Sequence, residues 1–259
     1  RFIQRLGGLY WTGVDVGTTV DDMDVIRAET PYVVTTSEVL GGPGDTSSVT
    51  AYRVFQGIRA CLEEVYGSPQ LEGRTVAVQR VGGVGAGLVH YLAEAGAQIT
   101  VADMDQQKAR AVESHYHTVQ VVQPEDIHQL AVDVYSPCAL GAGLNDQTLP
   151  ALCCKIVCGG ANNQLAEERH GEMLAERGIV YAPDFIVNAG GIIVGAESLS
   201  SGGFHQQRAM KRVERIYQIM RNVLSQAREQ QIPTYQAATL LAEQRLAMIQ
   251  QVRHLSAKR

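Results

Sequence analysis

The sequence contains no apolar run that approaches the roughly 18 residues of a membrane-spanning helix. Nor does it begin with the basic segment and short apolar stretch of a signal peptide. A basic excess is also absent, because the net charge is −5 and the pI is about 5.8. We therefore expect a cytoplasmic protein that has neither nucleic acid nor membrane as its main partner.

Cysteine is scarce, with five residues in 259, which is too few and too irregular for a disulfide scaffold. Cys153, Cys154 and Cys158 cluster on the apolar run LCCKIVCGG, but a zinc site would need better ligand spacing and nearby histidines. We interpret all the cysteines as reduced core thiols, and we predict no metal site. The chain is long enough for one large or two modest domains.

Residues 75–158 alternate short β-branched segments with amphipathic helical segments. This alternation predicts an α/β fold in which helices cover both faces of a Rossmann-type doubly wound parallel sheet. The strand candidates are TVAVQ (75–79), QITVAD (98–103), VQVV (119–122), VDVYS (132–136) and KIVCGG (155–160). The helix candidates are 47–66, 165–177, 206–231 and 234–252.

A glycine-rich turn lies between the first two predicted strands. The order of strand, turn, helix, strand and terminal acid over residues 75–103 is the outline of a dinucleotide-binding βαβ unit, which needs glycines at i, i+2 and i+5. Gly82 and Gly85 fill the last two places, but Arg80 fills the first. Its Cβ is expected to clash if the backbone there needs a positive φ. The cofactor-binding residues predicted in the turn are Gly82, Gly83, Val84 and Gly85.

Asp103 ends the second predicted strand, 21 residues after Gly82. A carboxylate at this place accepts hydrogen bonds from the adenosine ribose hydroxyls and repels a 2′-phosphate, which favours NAD over NADP. Asp105 is the neighbouring alternative, and we interpret it as a helix N-cap.

Three further loops of small residues support a cofactor cleft. They cover 136–141, 159–163 and 188–191, and each follows a predicted strand (VDVY, KIVC and DFIV). Ligands of open α/β sheets bind at the carboxyl ends of the strands. We therefore expect all three loops beside the glycine turn.

Five segments resemble one enzyme family: TGVDVGTTVDDMD, SSVTAYRVFQG, SPCALGAGLND, CGGANNQLAEERHG and GIVYAPDFIVNAGGII. They are similar to the leucine/phenylalanine/valine dehydrogenase branch of the glutamate dehydrogenase superfamily, and the resemblance covers essentially the whole chain. It implies a homo-oligomer that carries out reversible NAD-dependent oxidative deamination of an L-amino acid to a 2-oxo acid and ammonia.

The resemblance also implies roles for single residues. Asp15 matches the acid that exchanges protons with the amino group. Asn188 matches a residue that orients the substrate, and Thr50 matches a residue near the nicotinamide carboxamide. The loop residues implied in cofactor contacts are Cys138, Ala139, Leu140, Ala161, Asn162 and Asn188. Structural roles stay open for three of these positions: Asp15 as a helix or turn cap, Asn188 as a cap of the following helix, and Thr50 as a first-turn residue.

The lysine implied by the resemblance lies in a G-G-G-K motif that this sequence does not contain. Because the chain starts at Arg1, within an apparent helix, we expect that an N-terminal segment is missing and that this piece alone is a poor catalyst. The domains expected are a remnant of the substrate domain (1–45), an NAD-binding domain (46–200) and C-terminal helices that close the cleft between domains (201–259).

The segment after N-A-G-G bears on the substrate. The resemblance places Ile192 and Gly195 at the side-chain pocket, and leucine dehydrogenases usually carry valine where Gly195 stands. One methylene changes discrimination by about 1–3 kcal/mol, so the glycine predicts a larger pocket that accepts aromatic side chains as well as leucine.

Arg80 and the unmatched lysine leave two alternatives open. The chain could be a catalytically silent homologue or subunit that binds nucleotide weakly. Arg80 could instead contact the pyrophosphate as a cation.

Overall fold

The computed structural model describes residues 1–15 and 17–256, and its centre is a six-stranded parallel sheet. The strand order is β3-β2-β1-β4-β5-β6. This is the doubly wound order in which the chain reverses direction beside β1, and it confirms the predicted fold class. The strands are β1 Thr75–Gln79, β2 Gln98–Ala102, β3 Val119–Val121, β4 Val134–Pro137, β5 Ile156–Val157 and β6 Val180–Tyr181.

Helices pack on both faces of the sheet, so that alternate residues of β1 enter different cores. Val76 and Val78 belong to a buried cluster that includes α3, α4 and α10, whereas Ala77 belongs to a second cluster that includes α6. The helices are α1 Phe2–Arg5, α2 Val20–Glu29, α3 Ser47–Tyr66, α4 Gly83–Glu94, α5 Gln106–His115, α6 Arg169–Glu176, α7 Asp184–Val187, α8 Gly190–Ser198, α9 Gln206–Glu214, α10 Ile216–Gln230 and α11 Thr234–Ser256.

The helices differ from the predictions mainly at their boundaries. The helix expected over 165–177 begins only at Arg169, because Leu165 pairs with Leu144 in a β-bridge. The helix expected over 206–231 is interrupted at Arg215 and forms α9 and α10. Among residues 1–45, α2 is regular, and its start is fixed by a capping box between Thr19 and Asp22.

The predicted strand DFIV is wrong, because Asp184–Val187 forms the helical turn α7. Pro183 precedes this turn, and the real strand, β6, ends two residues earlier at Tyr181. A four-residue apolar run cannot by itself distinguish a strand from a helical turn. The loop that starts at Asn188 nevertheless follows a strand closely enough to lie at the carboxyl edge of the sheet.

The two ends of the first 36 residues are paired with each other by one short contact. Thr12 forms a parallel bridge with Val33, and the amide of Val14 donates to Thr35 Oγ1 at 2.8 Å. Within the described part of the chain, no helix combines the length and apolar character needed to cross a membrane.

Candidate functional site

The glycine-rich turn begins with a strained residue. Arg80 has a φ of +73°, so the first position of the turn does require the left-handed conformation that glycine adopts freely. For a residue with a Cβ this conformation costs about 1–2 kcal/mol. The amide of Arg80 is fixed by donating to the carbonyl of Ala102 at 2.7 Å.

The other two glycines of the turn meet different surroundings. A Cβ on Gly85 would lie 2.0 Å from the carbonyl oxygen of Arg80, so only glycine lets helix α4 pack this closely on the turn. A Cβ on Gly82 would meet nothing within 4 Å. Gly82 therefore faces open space.

That open space lies in front of the start of α4. Gly82 is the N-cap of α4 and supplies no side-chain cap, and the first-turn amides, including those of Gly83 and Val84, have no partner inside the helix. The N-terminus of a helix carries about half a positive charge and binds phosphate readily. The turn thus fits the pyrophosphate of a dinucleotide, because backbone donors and room are both present.

A cleft of about 550 Å³ opens beside this turn. It brings together four of the residues that the sequence predicted for cofactor binding, namely Gly82, Asp103, Ala139 and Leu140. The other lining residues are Gln79, Arg80, Ala102, Met104, Asp105, Lys108, Pro124 and Gly143. Sequence reasoning missed Lys108 as a lining residue, although the prediction that Asp105 caps a helix would have placed it in the first turn of that helix.

Asp103 is nearly buried at the back of the cleft, with 7% of its surface exposed. Its Oδ2 accepts the amide of Val81 at 2.8 Å, and its Oδ1 accepts the amide of Asp105 at 2.9 Å. Each oxygen retains a lone pair for a ribose hydroxyl. Asp105 is the N-cap of α5, as predicted, since its side chain accepts the amides of Gln107 and Lys108.

The loops after β4 and β5 are joined to each other and to the start of α8. The amide of Ala161 donates to the carbonyl of Pro137 at 2.9 Å. The side chain of Asn188 donates to the carbonyl of Ala161 at 3.3 Å and to Oδ1 of Asn162. The predicted loop residues therefore meet, and the alternative in which Asn188 caps α8 is wrong, because the N-cap of α8 is Ala189.

Cys138 lies between the glycine turn and the loop after β5. A Cβ on Gly85 would be 3.5 Å from its Cβ, and one on Gly160 would be 3.6 Å from its Sγ. Burial raises the pKa of this thiol. A neutral thiol is consistent with the predicted packing role of Cys138, and the two distances place its loop directly against the start of α4. The prediction of core thiols is wrong for Cys153, which is exposed.

Thr50 is buried at the start of α3, where that helix meets α8. A Cβ on Gly190 would lie 2.7 Å from Thr50 Oγ1, so glycine permits the contact between the two helix starts. The amide of Thr50 bonds to the carbonyl of Thr46, as in any first turn. Thr50 is thus a first-turn residue that also lies beside the Asn188 loop.

Asp15 is exposed and forms a backbone turn with Thr18, whose hydroxyl accepts the Asp15 amide at 2.9 Å. The cap of the next helix is Thr19, so Asp15 is not a helix cap. Two residues earlier, Gly13 lies against Val34, and Val34 lies against Gly195 of α8. Asp15 therefore lies in the segment that borders α8.

The pocket expected at Gly195 is not open space. Gly195 is buried, and a Cβ there would lie 3.2 Å from Val34 Cγ2. The missing side chain makes room for Val34, which corrects the expectation of a simply enlarged pocket. Ile192, one turn earlier, has 77% of its surface exposed.

One acidic cluster in the described residues has the composition of a metal site. Ligand atoms of Asp146, Glu167 and His170 lie within 4.8 Å of one another. Arg169 already bonds to Asp146 at 2.6 Å and to Glu167 at 2.9 Å, and hydrogen bonds from Arg169 and His170 lower the pKa of Asp146. His170 Nδ1 accepts the amide of Glu167 at 3.0 Å. These contacts indicate an ion-pair network that ties α6 to Glu167 in the loop before it and to Asp146 in the loop after β4.

Comparisons with known proteins agree with this geometry. The sequence model of the Glutamate/Leucine/Phenylalanine/Valine dehydrogenase family matches residues 100–253. A leucine dehydrogenase of Thermoactinomyces intermedius is 48% identical over 98% of this chain and 68% of its own length. A valine dehydrogenase of Streptomyces albus is 43% identical over 95% of this chain and 68% of its own length. The crystal structure of L-tryptophan dehydrogenase from Nostoc punctiforme matches with a TM-score of 0.84 at 39% identity, over 97% of this chain and 71% of that one.

The family match extends over more than half of the chain, and the two curated relatives align with nearly all of it. The resemblance carried by the five sequence motifs is thereby confirmed. The chain belongs to the glutamate/leucine/phenylalanine/valine dehydrogenase family.

Proposed function

We propose that this chain carries out reversible NAD-dependent oxidative deamination of a hydrophobic L-amino acid to its 2-oxo acid and ammonia. Its family makes it an amino acid dehydrogenase with a nicotinamide cofactor. The names of its relatives, which are leucine, valine and L-tryptophan dehydrogenases, support a hydrophobic substrate. The observation that carries the proposal is the cleft in which the glycine turn, Asp103 and the Ala139 loop meet.

The cofactor would lie across the carboxyl edge of the sheet. The amides of Gly82, Gly83 and Val84 would hold the pyrophosphate, and Asp103 would accept the ribose hydroxyls. Cys138, Ala139, Leu140, Ala161 and Asn162 would line the path toward the start of α3, where Thr50 would meet the carboxamide. When bound, the nicotinamide accepts hydride from the substrate Cα.

The substrate would lie between the Asn188 loop and the segment that contains Asp15. Asn188, whose amide group is already fixed by the carbonyl of Ala161, would orient the amino acid backbone. The Asp15 carboxylate would exchange protons with the amino group, a task that suits an acid within one hydrogen bond of the nitrogen.

Val34 and Ile192 would contact the substrate side chain together with Gly195. Because Val34 fills the space left by Gly195, we infer a pocket that accommodates leucine. The pocket would accommodate an aromatic side chain only when Val34 moves aside. Comparing kcat/KM for leucine, phenylalanine and tryptophan tests this. A strict preference for valine would refute it.

The central test combines binding and turnover. Fluorescence titration with NADH measures cofactor binding by the chain as it stands. Amino-acid-dependent NADH formation is then measured on the chain and on the same chain extended to the length of its relatives. Saturable NADH binding with leucine-dependent turnover in the extended form supports the proposal, and binding without turnover in either form contradicts it.

A catalytically silent homologue is the second candidate, because the left-handed Arg80 departs from the glycine that the dinucleotide motif requires. If neither the unaltered chain nor Arg80→Gly binds NADH, this candidate is favoured. We also infer a cytoplasmic homo-oligomer. Light scattering after size exclusion tests the assembly, and a monomer at micromolar concentration would contradict it.

A further inference from the structure

We propose that the adenosine end of the cleft accepts a 2′-phosphate, so that the protein binds NADP as well as NAD. This inference rests on the proposed dehydrogenase function and specifies its cofactor. The adenosine end is the part of the cleft between Arg80, Asp103 and Lys108.

Sheet register places Arg80 beside the ribose site. Gln79 pairs with Ala102 in the parallel ladder of β1 and β2, so the next residues, Arg80 and Asp103, leave the sheet opposite each other. In dinucleotide-binding folds the acid at the end of the second strand marks the 2′-hydroxyl. A side chain on Arg80 is therefore at the ribose end of the cofactor, whereas the pyrophosphate belongs to the start of α4.

Two cations line this end of the cleft. The side chain of Arg80 is exposed, and within the described residues it has neither a hydrogen bond nor an ion pair. Lys108, in the first turn of α5, is 62% exposed, and its Nζ lies 3.6 Å from Oδ2 of Asp105. Guanidinium and ammonium groups are the side chains that bind phosphate.

The acid that should repel a 2′-phosphate is shielded. Asp103 has only 7% of its surface exposed, and both of its oxygens accept backbone amides. These amide dipoles offset part of the carboxylate charge before any ligand arrives. Asp105 also lines the cleft, with 46% of its side chain exposed, and it pairs with Lys108. Within the described residues, Arg80 is therefore the cleft-lining cation that has no carboxylate partner.

The strain at Arg80 supports a role for its side chain. Glycine would adopt the φ of +73° without cost, yet the sequence carries a long cation there. Strained residues of this kind cluster at active sites and ligand clamps.

The test measures the dissociation constants of NADH and NADPH for the full chain by fluorescence. We expect NADPH to bind within about tenfold of NADH, since one charge-assisted contact at an exposed site is worth on the order of tenfold in Kd. Arg80→Gln should weaken NADPH about tenfold and NADH less than about threefold. Lys108→Gln should act in the same direction, and salt should weaken NADPH more than NADH.

Arg110→Gln is the matched control, because Arg110 is an exposed cation on the same helix as Lys108 but outside the cleft. It should change neither constant. Arg80→Gly removes the charge and the backbone strain together, so it separates a folding defect from a lost contact.

Equal weakening of NADH and NADPH by Arg80→Gln would assign Arg80 to the pyrophosphate and overturn the proposal. Tight NADH binding without NADPH binding overturns it but leaves the proposed function intact, whereas binding of neither cofactor contradicts both.

Discussion

Single residues of the glycine turn carry separate physical tasks. Arg80 holds a left-handed backbone, Gly85 admits the carbonyl of Arg80, and Gly82 leaves room in front of α4. Because the tasks differ, substitutions at the three positions should fail in different ways.

Arg80→Gly should stabilise the chain slightly. Relief of the left-handed conformation gains about 1–2 kcal/mol, and the greater freedom of glycine in the unfolded state costs about 0.5–1 kcal/mol. Urea unfolding should therefore show a gain of up to about 1 kcal/mol. The control Arg110→Gly, inside α5, should lose about 1 kcal/mol. A loss of similar size at Arg80 would mean that its side chain makes a stabilising contact.

Gly82→Ala and Gly85→Ala form a second matched pair. Alanine at 82 meets open space, so the protein should remain folded while NADH binding weakens about tenfold or more, because the methyl group would occupy the proposed phosphate position. Alanine at 85 meets a carbonyl oxygen at 2.0 Å and should lower the unfolding temperature as well as abolish binding. Thermal unfolding with NADH titration separates the two effects. Unchanged NADH affinity in Gly82→Ala would remove the turn from the cofactor site.

At the scale of elements, the amino ends of β1 and β4 are joined by one acid at the edge of the sheet opposite the site. Asp133 accepts the amide of Thr75 at 2.9 Å and the hydroxyl of Tyr66 at 2.6 Å. Arg74 lies 3.5 Å from the same carboxylate. Burial opposes ionisation of Asp133, but these hydrogen bonds outweigh it and lower its pKa below 3.8.

This lowered pKa predicts a pH dependence of stability. A carboxyl whose pKa is lower in the folded state stabilises the fold above its unfolded pKa and loses that contribution as pH falls through the folded pKa. Asp133→Asn should therefore lower the unfolding temperature at neutral pH, and its curve should approach that of the unaltered protein as pH falls through the lowered pKa of folded Asp133. Thermal unfolding from pH 7 to pH 2 tests this. Parallel curves over the whole range would exclude Asp133 as a source of the dependence.

At the scale of the whole molecule, the first 36 residues contact helix α8 through Val34. The contact between Val34 and Gly195 sets the spacing between the segment that carries Asp15 and the helix that follows Asn188. Buried Glu197 holds the other side of α8 by ion pairs with Arg208 and Arg212 of α9. Helix α8 is thus held on both sides.

A double-mutant cycle tests this contact. Gly195→Val should lower the free energy of unfolding by about 1–3 kcal/mol, because the branched valine side chain would overlap Val34. Val34→Ala in the same chain should recover part of this loss. Urea unfolding of the single and double variants gives the coupling energy. Additive losses would mean that the two residues do not restrict each other.

The local pattern of the sequence was sufficient for the strands β1 to β5, the cap at Asp105 and the meeting of the glycine turn with the loops after β4 and β5 at one edge. Parallel strands that alternate with helices bring their carboxyl ends to a common edge, whatever the side chains elsewhere. The motif resemblance supplied the family. Short elements, such as β6 and α7, were not predictable, because two to four residues carry no periodicity.

The sequence by itself determined the parallel fold and the positions of the glycine turn, because both follow from periodicity and from the geometry that glycine permits. Only the tertiary structure decided what Arg80, Asp103 and Gly195 meet. The register between β1 and β2 places Arg80 opposite Asp103. Backbone amides donate hydrogen bonds to the Asp103 carboxylate, and Val34 fills the space beside Gly195. Apart from the local bond between Asp103 and the amide of Asp105, these contacts join residues at least 22 positions apart, and no local pattern encodes which side chain fills a space that another leaves.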